Sequence, residues 1–277
     1  MKKISVFVAV AATVAIVSCG ESIENSAQQL VDEARVAYEA QDYNSAKLLL
    51  DSAKRTYPKA FKARRAALQL GRDVELAEQQ RSVEFYNSEI ANLEARRDAL
   101  MPQFVLEKDK KYQDVGNYMI PSQTTRNNVG NSYMRAQVDE NGVATITSVY
   151  RGKAATHTGV RLSVGDNYTE CSTPFNSYKS RHMGVTTERL DFRYGQDGGL
   201  MDFVAISQEP ITVELLAEKP YKYTLRRSDA EAIAKVLELA KVLQAISNAK
   251  EMRDEAERHI QFILRSKEKF ETAADSI

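Results

Sequence analysis

The hydrophobic pattern of this chain changes period three times along its length. Residues 4–17 form an almost unbroken apolar run behind Lys2 and Lys3. That run is too short to span a bilayer comfortably and has the length of the apolar core of an export signal. From residue 22 to about residue 101 the pattern turns helical. Ala, Leu, Glu, Gln, Lys and Arg dominate, Pro58 is the only proline and Gly71 the only glycine. Leu76, Val83, Tyr86, Ile90, Leu93 and Leu100 recur at heptad spacing, with Arg97 as the one charged break. Pro102 predicts where this helix stops.

The far end of the chain mirrors this. Ser228-Asp229-Ala230-Glu231 reads as a capping box opening a helix. Ile233, Leu237, Ala240, Leu243 and Ile246 continue it, and Ala249, Met252, Ala256, His259, Ile263 and Phe270 extend the seam. Residues 228–273 contain neither proline nor glycine. Two helices of similar length with matching apolar seams are expected to pair antiparallel as a coiled coil.

Between them, residues 108–227 drop to period two. Tyr133 to Val138 alternates, Asp139-Glu140-Asn141-Gly142 supplies a hairpin turn, and Val143 to Tyr150 returns. Further strands are expected at 160–164, 190–194, 201–206, 211–216 and 221–225, with turns at Gly165-Asp166, 196–199 and 218–220. Residues 169–187 show no clear period. Short strands with no helix between them predict an antiparallel all-β domain. The fold class expected is therefore α+β, with the β domain inserted at the tip of a helical pair. Its segments are a leader (1–18), a helical hairpin (19–58), a first stalk helix (59–107), a β head (108–227) and a second stalk helix (228–277). The head, from about Tyr112 to Arg227, is expected to fold alone.

Two stretches resemble known families. Ile16-Val17-Ser18-Cys19-Gly20, at the end of the apolar run, resembles the lipobox of bacterial lipoproteins. The resemblance implies that Cys19 is acylated and becomes the first residue of the mature protein. Two or three acyl chains give stable attachment where one gives marginal binding. Gly20 stands where an aspartate would mark inner-membrane retention, so the outer membrane of a Gram-negative bacterium is favoured. The second stretch carries Ala34, Tyr38, the turn Gln41-Asp42-Tyr43, then Ala46, Leu50, Ala53 and Pro58. It resembles one tetratricopeptide unit. That implies two closely packed helices with Tyr43 at the corner and Pro58 after the second helix. Gln41 stands where that family usually has glycine, and no second full copy follows. A single TPR-like hairpin is expected, not an array.

Charge narrows the function. The chain has 38 basic and 38 acidic side chains. Loss of residues 1–18 removes Lys2 and Lys3 and no acid, leaving 36 against 38, a net of −2. This argues against a nucleic-acid partner, which favours a basic excess. Cys171 is the only cysteine besides Cys19, so an acylated Cys19 leaves no intramolecular disulfide.

No catalytic, cofactor or metal motif appears: no H-E-x-x-H, C-x-x-C or G-x-S-x-G. Cys171 and His182 share the aperiodic segment, but no flanking pattern supports a nucleophile and its base. His259 falls in the stalk seam and His157 in a loop. Gly195 to Gly199 reads as a turn. Aromatic and basic residues gather in the head, and Tyr178, Arg181, His182 and Tyr194 are the candidate ligand contacts. The expectation is a non-enzymatic envelope protein held to membrane lipid through Cys19. Its β head would be presented on a helical stalk for binding or scaffolding, with a protein or glycan partner and no cofactor. The alternative is an accessory or adaptor subunit of an envelope assembly or transport complex, docking through its helices. An enzyme with its site in the head is the least favoured reading.

Overall fold

A computed structural model describes residues 11–274 apart from 110, 154 and 155, with side chains described from residue 22 to residue 270. The first ten residues of the leader and the side chain of Cys19 lie outside the described residues. The fold is mixed α+β, with five α-helices and two antiparallel sheets among the described residues. The chain divides into two compact units, residues 1–88 with 251–277, and residues 89–250. Helices α3 (Phe61–Leu100) and α5 (Arg227–Ala274) contribute to both.

The first unit is helical. It holds α1 (Ala11–Glu39), α2 (Tyr43–Thr56), the start of α3 and the end of α5. Ala34, Ala46 and Ala53 are fully buried, which lets the backbones of α1 and α2 approach closely. Val31, Leu50, Ala67, Leu70 and Val74 complete that core. Gln41 takes a left-handed backbone (φ 60°) at the turn between α1 and α2. Asp42 then caps α2 by accepting the Ser45 N–H at 3.1 Å. On α5, Lys267 pairs with Asp73 of α3, and the ring of Phe270 lies under the guanidinium of Arg72 at 4.5 Å.

The second unit carries both sheets. Its strands are β1 (Val105–Glu107), β2 (Asn117–Met119), β3 (Tyr133–Asp139), β4 (Ala144–Gly152), β5 (Gly159–Val164), β6 (Asn167–Cys171), β7 (Asn176–His182), β8 (Val185–Arg193), β9 (Thr212–Leu216) and β10 (Tyr221–Thr224). One sheet has the order β1-β2-β3-β4-β8-β7, the other β10-β9-β5-β6. The inward residues of the first sheet (Met134, Ala136, Val138, Ile146, Leu190, Phe192) share one core with Val160, Leu162, Val213 and Leu215 of the second. That core also takes in Ile233, Val236, Leu237, Leu239 and Ala240 of α5. Within this unit α3 and α5 are antiparallel neighbours, joined by Arg96–Glu238 at 2.8 Å and Glu94–Lys250 at 2.9 Å.

Two local devices set the sheet. The β3–β4 turn places Gly142 at φ 85°, where an added Cβ would meet Leu243 Cβ of α5 at 3.0 Å. Only glycine suits both the backbone and the approach. Along β3, where β2 is too short to reach, the side-chain amide of Gln123 replaces the missing strand. It accepts the Ala136 N–H at 2.8 Å and donates to the Met134 carbonyl at 3.4 Å. The same amide donates to Asp229, which is held in turn by Arg226 at 2.7 Å. This buried polar chain ties the sheet to the start of α5.

Several expectations are corrected. Residues 201–206, read as a strand, form helix α4 (Leu200–Ile206). The buried Asp197 accepts the N–H groups of Gly199 and Met201, and Leu200, Met201 and Val204 turn inward at helical spacing. The head is therefore not all-β. Residues 101–107, assigned to the first stalk helix, form a 3-10 turn at Met101–Gln103 and then β1. The aperiodic 169–187 contains most of β6, all of β7 and the start of β8. Nearly every β7 residue is solvent-exposed because the strand is a sheet edge, so no alternation shows. Helix α5 begins at Arg227, and Glu231 pairs with that arginine, so Ser228 sits inside the first turn and not before it. His259 is exposed; the buried row runs through Ala249, Ala256 and Ile263.

Candidate functional site

The strands that build the candidate site have two very different faces. Even-numbered residues of β3, β4 and β8 point into the core, so the odd-numbered ones make the outer face. Pairing of Tyr178 with Arg189 puts the even residues of β7 on that outer face too. It therefore carries Tyr133, Arg135, Thr145, Thr147, Arg151, Tyr178, His182, Arg189, Asp191 and Arg193. Aromatic rings cover two of its arginines. Tyr178 lies 5.8 Å from the Arg189 guanidinium, and Phe175 lies 5.1 Å from that of Arg193. Both rings stay about half-exposed.

Of the residues chosen from sequence, Tyr178 and His182 share this face. Arg181 points to the opposite side of the same edge strand and is also exposed. Tyr194 lies apart from them. It is half-buried on the core side, where its hydroxyl donates to Asp202 at 3.4 Å beside the ammonium of Lys241. It is a packing contact between the end of β8, α4 and α5. Cys171 and His182 are not brought together. Cys171 is buried at the end of β6 with its sulfur 3.6 Å from Thr173 Oγ1, while His182 is solvent-exposed.

The centre of the outer face is polar yet buried. Asp191 accepts from Thr147 Oγ1 and from Asn176 Nδ2, each at 2.8 Å, and lies 3.2 Å from Arg189 Nε. Arg135 sits on the same cross-strand row as Thr147 and Asp191 and is 8% exposed. Sequence reading passed over Arg135 and Arg189. The signal was present, since Arg135 falls between Tyr133 and Gln137 on the polar parity of an alternating strand.

A second cluster lies inside the domain. His157 Nδ1 is 2.9 Å from Glu188 Oε2, and His157 Nε2 is 3.4 Å from Ser148 Oγ. The order serine, histidine, carboxylate has the form of a hydrolytic triad. However, Ser148 is fully buried on the core face, where no substrate reaches it. Glu188 instead fastens the loop, accepting the N–H groups of Thr156 and His157 at 2.8 and 2.9 Å. Burial alone would raise its carboxyl, but Lys179, His157 and those backbone donors hold it down to about 2. A cavity of about 760 Å³ lies elsewhere, lined by Pro210, Ile211, Leu225, Arg226 and Ala230 among others, and includes none of the sequence-selected residues.

Comparison with protein-family models, curated proteins and solved structures finds no match for this chain. Among the described residues no helix is long and apolar enough to cross a membrane. No cluster of three or more His, Cys, Asp and Glu suited to a metal ion occurs among them either.

Proposed function

We propose that this chain is a lipid-anchored protein of the bacterial cell envelope, attached through acylated Cys19, which presents its β domain for binding. The observation that carries the anchor is Ser18-Cys19-Gly20 at the end of the apolar run 4–17, with polar helical sequence immediately after it. In this reading 19–58 is a TPR-like hairpin. The paired segments of α3 and α5 act as an antiparallel coiled-coil stalk, and the β domain is an insertion between them. The heptad rows on both helices support the stalk reading. The half-exposed rings of Tyr178 and Phe175, stacked on arginines, support the outer face of the six-stranded sheet as the binding surface.

The experiment that tests the anchor is the intact mass of the mature protein extracted from its own membranes. The reading requires an N terminus at Cys19 and a mass excess equal to its acyl groups. A mature chain that starts elsewhere, or starts at Cys19 without added mass, removes it.

A second reading has its own support. The helical unit exposes several large apolar side chains: Val36, Leu48, Phe61, Leu68, Phe85, Phe262 and Leu264. Phe61 and Leu68 are seven residues apart on α3 and so share a face. This favours an accessory subunit that docks through its helices onto another envelope protein. The two readings are compatible, since one uses the helical unit and the other the sheet.

A further inference from the structure

Arg135 is an arginine without an anion. It is 8% exposed, and among the described residues no carboxylate lies within ion-pair distance of it. Its one hydrogen bond is a long one, from Nη1 to Thr125 Oγ1 at 3.4 Å, and its buried Nε has no partner. Arginine keeps its charge at any physiological pH and offers five donors in a planar fork. A buried charge left this way is costly unless something of opposite sign completes it.

The neighbouring acids are already engaged. Asp191, on the same row, is taken by Thr147, Asn176 and Arg189. Asp229, near Tyr133, is taken by Arg226 and Gln123. Arg189 has Asp191 as its ion-pair partner at 3.2 Å, but its buried Nε likewise makes no hydrogen bond. The outer face of strands β3, β4, β7 and β8 carries four arginines, at 135, 151, 189 and 193. Its acids are Asp191 and Asp139, and Asp139 is spent on the Asn141 and Val143 N–H groups of the hairpin turn.

We infer that this face binds the oxyanion of an acidic ligand, a carboxylate or a phosphate, with Arg135 as its principal contact. The hydroxyl of Thr125 accepts from one end of the guanidinium at 3.4 Å. The rings of Tyr178 and Phe175, at the edge of the same face, supply the apolar contact that an acidic saccharide uses. The inference rests on the reading of this sheet face as the binding surface and names the chemistry of what it takes.

The test is calorimetric titration of the full chain in non-ionic detergent, at constant ionic strength, with glucuronate, inorganic phosphate and uncharged glucose. Saturable binding of at least one anion is expected, and the tighter of the two tells a carboxylate from a phosphate source. Arg135→Met should weaken it about tenfold or more, as loss of a charged hydrogen-bond partner does. The same variant should melt higher than the native chain in anion-free buffer, because a buried unpaired charge is gone. Arg135→Lys keeps the charge but not the fork, and should bind more weakly than the native chain even if the methionine variant does not fold. Absence of saturable anion binding, or equal binding by the native chain and both variants, overturns the inference. Binding of glucose without binding of either anion overturns it too, while leaving the face as the binding surface.

Discussion

The ring of His157 and the carboxylate of Glu188 meet at 2.9 Å inside the β domain, although 31 residues separate them in the chain. Glu188 also holds Lys179 at 2.8 Å, so one carboxylate joins the edge strand β7 and the loop before β5 to the strand between them. Replacing the carboxylate by an amide takes one acceptor oxygen from the Thr156 and His157 N–H groups and the ring of His157, and removes the charge that holds Lys179. Glu188→Gln is expected to cost about 1–3 kcal/mol in chemical denaturation at neutral pH, as leaving a buried hydrogen-bonding group unsatisfied does. A loss below about 1 kcal/mol contradicts the buried-anchor role.

The same group sets an acid limit. Its folded pKa, about 2, lies below the ordinary value of 4.5, so its contribution is whole above about pH 4.5 and fades as pH falls through about 2. The stability difference between the native chain and Glu188→Gln should therefore shrink across that window. Urea titrations at stepped pH measure it. A difference that stays constant from pH 6 to pH 2 sinks the assignment.

Against the expectation from sequence, residues 112–227 should not fold alone. Five residues of α5, from Ile233 to Ala240, belong to the same core as Met134, Ile146 and Phe192. A fragment covering residues 89–250 should give dispersed amide NMR spectra, and the shorter one should not. A well-folded 112–227 fragment contradicts the shared core.

Gly142→Ala should destabilise the second unit by about 1–3 kcal/mol, since it combines a left-handed backbone with a close approach to Leu243. Thermal melting reads this directly. An unchanged melting temperature means that the hairpin turn does not rest on α5.

On the α3–α5 pair, Ile90 is 6% exposed, and Leu93 lines a shallow hollow with Leu237 and Lys241 of α5. Replacing both Ile90 and Leu93 with aspartate should remove helical circular dichroism cooperatively at a lower temperature, because truncation of such side chains even to alanine costs about 2–5 kcal/mol. A melting curve that overlays the native one removes the paired-helix account.

What the sequence made legible follows from local physics. The long helices were readable because composition and heptad rows repeat for dozens of residues. Strands β3, β4, β5 and β9 were readable because apolar residues alternate with polar ones along each. Strand β7 was not, since an edge strand exposed on both faces has no alternation to detect. Helix α4 was misread because Phe203, Val204 and Ile206 favour strands, while the carboxylate of Asp197 accepts the Met201 N–H four residues on and so starts the helix. At the outer face, Tyr178 and His182 could be picked by composition. The bare charge of Arg135 could not, because it depends on which acids of other strands are already engaged.

The central claim, anchorage through Cys19, is tested most directly by fractionation of cells producing the native chain or Cys19→Ala, grown with labelled palmitate. The native protein should carry the label and stay with the membranes through a high-salt wash. The Cys19→Ala protein should carry no label and remain an uncleaved precursor. A Cys19→Ala protein that is still labelled and matures as the native one does would contradict the account.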